Sequence, residues 1–180
     1  MKTKDILKGG MIGLFMLLFS SVFAQESNKD SAVLHAGHAL IYEQAGNYDL
    51  AAEEYTVALS FDSENAVLYD KRGVCYTKLE KYRKALADFN TALMLLPDNL
   101  DSYNHRGIVF FLLNNYNKAL NDFDEVIHAD SSYSKAYFNR GLVKMAINDE
   151  KGLSEDLKKA ASLNNEKAIS FMKEIGLCQN

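Results

Sequence analysis

From Ala32 onward, apolar and polar residues alternate in the three- and four-residue rhythm of amphipathic helices, and that rhythm recurs every 34 positions. Gly73, Gly107 and Gly141 lie 34 apart, Arg72, Arg106 and Arg140 precede them, and Tyr69, Tyr103 and Tyr137 stand three residues further upstream. The pattern divides the chain into units at 32–65, 66–99, 100–133 and 134–167, each predicted to be two helices joined by a short polar turn. In the second unit the first helix is predicted over about Ala66–Leu79 and the second over about Tyr82–Leu95, with Pro97 closing the unit. Asn47, Lys81, Asn115 and Asp149 mark the turns. Units of this length bury their apolar faces only against neighbours, so the period predicts an elongated array with an extended surface for holding something.

The three glycines fall in mid-helix, where glycine costs roughly 1 kcal/mol against alanine. Close approach of the paired helix supplies a reason, and Ala39 fills the equivalent place in the first unit, consistent with a demand for smallness. Residues 168–180 form a tail with a short terminal helix over Ala168–Leu177, in which Phe171, Met172 and Ile175 can cover the open end and Gly176 can stop it.

The spacing of Tyr69, Gly73, Tyr76, Tyr82, Ala85, Phe89, Ala92 and Pro97 resembles the tetratricopeptide repeat. Tyr103, Gly107, Phe110, Tyr116, Ala119 and Phe123 repeat it, as do Ala39, Tyr42, Tyr48, Ala51, Tyr55 and Ala58. The fourth unit departs from the pattern: Lys144 replaces an aromatic, Glu150 replaces the turn tyrosine, and Leu153 and Leu157 stand for Ala and Phe. The resemblance implies an all-α fold, an α-solenoid of four helix-turn-helix hairpins with a C-terminal capping helix.

Ahead of the array, Lys2, Lys4 and Lys8 precede an apolar run from Met11 to Phe23, and Val22-Phe23-Ala24 offers a cleavage pattern. Residues 1–24 are therefore expected to be a cleavable signal peptide, followed by a short polar lead-in at 25–31. The alternative, a retained anchor, meets a run shorter than the roughly 18–20 apolar residues a membrane span needs. Export to the periplasm or beyond follows, with no membrane insertion after cleavage. The leader carries three lysines against Asp5, so its removal takes the formal charge from −4 to −6. That balance argues against nucleic acid, which rewards a basic stripe. Cys75 and Cys178 are separated by two units, too far for an intramolecular disulfide.

Arg72 and Asp88, Arg106 and Asp122, and Arg140 and Asp156 recur at a separation of 16, one on each helix of a hairpin, with His38 and Glu54 in the same places of the first unit. These read as structural ion pairs within each hairpin, solvated and contributing only ~0–1 kcal/mol. Catalytic chemistry finds no support: there is no Gly-rich phosphate loop, GxSxG or HExxH. His35 and His38 share a helix face, but no third ligand lies at a useful spacing, so no metal or other cofactor is expected.

Binding remains, and the family resemblance implies that the first helix of each hairpin lines a concave groove that receives a peptide or another protein's helix. Mapped onto this chain, the groove holds Leu40, Val74, Lys78, Asn104 and Ile108, then Phe111, Leu112, Phe138, Leu142 and Met145. The apolar residues near the C-terminal end either form an interface or pack in part against the terminal helix. Relatives that clamp acidic chaperone tails use lysines and asparagines at places held here by Ala36, Leu40 and Lys71, which mostly cannot supply that chemistry. The function expected is a non-catalytic protein-interaction scaffold outside the cytoplasm. The alternatives are a homo-oligomeric structural component or an accessory subunit of a cell-envelope complex.

Overall fold

The structure is a computed structural model that describes Glu26 and residues 28–177. The expected signal peptide, its cleavage point and Cys178 lie outside the described residues. Within them the chain runs through α1 (28–44), α2 (Tyr48–Phe61), α3 (Ala66–Lys78), α4 (Tyr82–Leu95), α5 (Leu100–Leu112), α6 (Tyr116–Ala129), α7 (Ser134–Ala146), α8 (Glu150–Ser162) and α9 (Glu166–Glu174), with no strand among the described residues. None of these helices is long and apolar enough to cross a membrane.

Each helix starts and stops where its local chemistry dictates. Asn65 and Asn99 cap α3 and α5 by accepting from the backbone N–H groups of Leu68 and Ser102, and Asp149 caps α8 through Gly152. Asn47, Lys81, Asn115 and Asp149 hold the N-cap places of the second helices, while the residue before each takes the left-handed backbone: Gly46 (φ 76), Glu80 (57), Asn114 (58) and Asn148 (60). The helix α1 begins at or before residue 28, so the expected lead-in is partly helical.

The hairpins α1–α2, α3–α4, α5–α6 and α7–α8 stack in order. Their cores repeat the small and large residues of the sequence pattern: Ala51, Ala85 and Ala119 are fully buried, as are Tyr55, Phe89, Phe123 and Leu157. The glycines behave as their position required, but not all for the same reason. A Cβ built on Gly73 or Gly107 would lie 2.7 Å from the ring of Phe89 or Phe123, a clash that a buried ring cannot relieve. At Gly141 the nearest atom would be 3.5 Å away, because Leu157 has replaced the ring.

The end of the array breaks the period. Three residues link α8 to α9, as within a hairpin, and Asn164 takes the left-handed backbone (φ 60). Asn165 then accepts from Ala168 N–H, so α9 starts at Glu166, two residues before the expected start at Ala168. Met172 is buried, Phe171 is half-buried and Ile175 remains exposed, so the cap covers only part of the open end. Gly176 (φ 73) stops the helix.

Candidate functional site

The recurring arginines are fixed in place. Arg72, Arg106 and Arg140 each donate from Nε and Nη2 to both oxygens of Asp88, Asp122 and Asp156, at 2.6–2.9 Å. These pairs are not solvated, contrary to the sequence expectation: the aspartate side chains are only 7%, 7% and 4% exposed. Hydrogen bonding to the aspartate raises the pKa of each guanidinium against the opposing effect of burial. Nor are they confined to one hairpin. Nη1 of each arginine reaches back to the second helix of the preceding unit, at Thr56, Asn90 or Asp124. The ring of Tyr69, Tyr103 or Tyr137 lies beneath the guanidinium, with its centroid 5.3–5.5 Å away. Nε, Nη1 and Nη2 of each arginine thus each hold a partner, two in its own hairpin and one in the preceding unit, so the arginines tie neighbouring units together.

The fourth unit changes several members of this arrangement together. Lys84 and Lys118 lie over the rings of Tyr76 and Phe110 in the second and third units. In the fourth, the aromatic has become Lys144, whose Nζ binds Asp156 at 2.9 Å, and the outer lysine has become Gly152. A Cβ on Gly152 would come 2.2 Å from Asp149 Oδ2 and 2.7 Å from Lys144 Cδ, so the glycine makes room for both the capping aspartate and the inward lysine.

Along the face formed by the first helices, a second set of bonds joins unit to unit. Asp70, on α3, accepts from Ser102 Oγ at 2.8 Å and meets His105 Nδ1 at 3.0 Å, both on α5. Asn139 on α7 donates to Asn104 at 2.8 Å, and Tyr133, the residue before α7, donates to Asp101. Asn104, expected in the groove, is therefore a buried strut that a ligand reaches only at its edge. Asp70–His105 and Asn104–Asn139 occupy equivalent places 34 residues apart, but the pattern ends there, because the next position is Phe138.

The expected groove residues divide into three groups. Ile108 and Phe138 line a recess of about 470 Å³ between α5, α7 and the start of α9, with Lys135, Asn139 and Lys167 on its rim. Leu40, Leu112 and Met145 are 43–45% exposed, and Lys78 is exposed too. Val74 and Phe111 are half-buried against apolar cores that include their own hairpins, and Leu142 on α7 is half-buried. Phe138 also meets Phe171 edge-on at 6.3 Å, so part of the apolar patch is covered by α9. Cys75 is fully buried, and burial pushes its thiol up to about 12, the state of an inert core residue.

In the first unit Glu54 keeps its expected partner and gains a nearer one: its Oε2 lies 3.8 Å from His38 Nδ1 and 2.7 Å from His35 Nδ1. The third ligand-type side chain that spacing along the chain did not offer is therefore supplied by α2.

Comparison with known proteins agrees with this architecture. The family described as "Tetratricopeptide repeat" matches residues 71–99. The first such domain of Spaghetti (RPAP3), solved with the HSP90 peptide SRMEEVD, is 26% identical over 67% of this chain and 95% of that one, with a TM-score of 0.64. The chain is a tetratricopeptide-repeat protein. The second tetratricopeptide domain of human RPAP3, in complex with the HSP70 peptide SGPTIEEVD, shares 25% identity over 67% of this chain and 98% of its own, at a TM-score of 0.61. A MamA crystal structure covers 92% of this array's chain and 95% of its own at 19% identity and a TM-score of 0.69, a likeness of fold. No curated protein matches the sequence significantly.

Proposed function

We propose that this tetratricopeptide array is a non-catalytic scaffold that holds a peptide or protein segment along the face of its first helices, outside the cytoplasm. One observation carries the reading: a recess is lined by Ile108 and Phe138, and exposed Leu112 and Met145 stand four and seven residues further along the same faces of α5 and α7. The ligand is apolar or mixed in character. The peptides held by the RPAP3 domains end in acidic residues, whereas this chain is net acidic and has Ala36 and Leu40 where a carboxylate clamp needs polar donors.

Replacing Leu112 and Met145 by lysine, two exposed positions whose change spares the core, is expected to abolish affinity capture of a partner while the helical signal stays intact. Unchanged capture would place the site elsewhere, and a concentration-dependent mass that the same change abolishes would make the occupant a second copy of the chain. The exported location rests on the basic, apolar leader at residues 1–24. N-terminal sequencing of the protein recovered from the envelope fraction is expected to begin at Gln25; a retained Met1 in the cytoplasmic fraction would remove this part of the proposal.

A further inference from the structure

Three positions of the repeat always meet in space. In the second, third and fourth units they hold tyrosine, arginine and aspartate, with the arginine stacked on the ring and forked onto the carboxylate. In the first unit the same three positions hold His35, His38 and Glu54. A purely structural role is already met by the other set, three times over. Here all three have changed, each to a residue type that ligates metal ions, at places the fold was going to bring together in any case.

The geometry fits that chemistry. One ligand-capable atom from each of His35, His38 and Glu54 lies within 4.8 Å of the other two. Bonds of ~2.0–2.1 Å from a tetrahedral ion set its ligand atoms about 3.3 Å apart, inside the span from the 2.7 Å His35–Glu54 contact to that limit. Small side-chain rotations therefore suffice, without movement of either helix. His35 is oriented by stacking on Phe61, with ring centroids 5.9 Å apart and planes inclined by 10°. His38 is half exposed, which leaves a coordination position open to water or to a group on a partner.

We propose that His35, His38 and Glu54 form a binding site for one divalent transition-metal ion of the zinc class. Two imidazoles and one carboxylate suit zinc, cobalt, nickel or copper, whereas magnesium and calcium call for sites built of oxygen. The site is independent of the groove on the α5 and α7 faces and stands or falls without it.

The test is titration of the tag-free chain with zinc chloride by calorimetry, paralleled by visible absorption with cobalt(II). One saturable ion per chain is expected, with a cobalt spectrum that zinc abolishes. His38→Ala and Glu54→Gln are each expected to weaken zinc binding at least ~10-fold. The combined change His35→Tyr, His38→Arg and Glu54→Asp, which writes the constellation of the other units into the first, should keep the helical signal and lose the ion. Absence of saturable uptake in the unaltered chain, or uptake that survives the combined change, overturns the proposal.

Discussion

The third and fourth units share one backbone and differ in what fills it. In the third, Gly107 lies under the ring of Phe123, Phe110 carries Lys118 on its face, and Asp122 receives one cation, Arg106. In the fourth, Leu157 replaces the ring, Lys144 replaces the aromatic, and Asp156 receives both Arg140 and Lys144. The difference teaches that residues of the repeat change in groups, not one by one: the pair Phe110 and Lys118 gives way to Lys144 and Gly152, which keep the one lysine charge. An inward lysine goes with an outer glycine, and a lost ring releases the glycine it had required.

What both units retain is the buried aspartate, and its removal has the largest expected effect. Asp122→Ala leaves the Arg106 guanidinium with neutral Asn90 as its remaining hydrogen-bond partner and severs the tie to its own hairpin. A loss of about 3 kcal/mol in urea unfolding is expected, with partner capture unaffected. A selective loss of capture at unchanged stability would return the arginines to the ligand site.

The glycines test the difference between the units. Gly107→Ala forces a methyl group against a ring that cannot retreat, a cost of about 1–3 kcal/mol that the better helix propensity of alanine offsets by only ~1. Gly141→Ala meets ordinary contact distance and is expected to be neutral or to stabilise by up to ~1 kcal/mol. The denaturant midpoint of Gly107→Ala should therefore fall, while that of Gly141→Ala holds or rises. If both fell alike, the glycines would be required by the backbone and not by the facing ring, and the comparison would fail.

Much of this was legible in the sequence because repetition supplies its own controls. Four copies of a pattern separate what is fixed from what drifts, so the hairpins, the alanine slots and the partners of Arg72, Arg106 and Arg140 could be read without coordinates. The burial of those pairs was not legible, since separation along the chain does not reveal how much water a neighbouring unit excludes. Their second anchorage left a trace that spacing could have found: Thr56, Asn90 and Asp124 each lie 16 residues before an arginine, and all three can accept a hydrogen bond. The ladder from Asp70 to His105 left a fainter one, since only Asn104 and Asn139 repeat it and both change identity.

The sequence by itself determined the kind of molecule, a stack of helix hairpins, since a 34-residue period of apolar faces has no other way to escape water. Tertiary structure alone decided which polar groups are spent and which are free. It closed Asn104 into a strut, put Phe138 partly beneath α9, started that helix two residues early, and carried Glu54 across to His35. A side chain's reach is set by its rotamer and by the helix packed against it, and both are properties of the folded array.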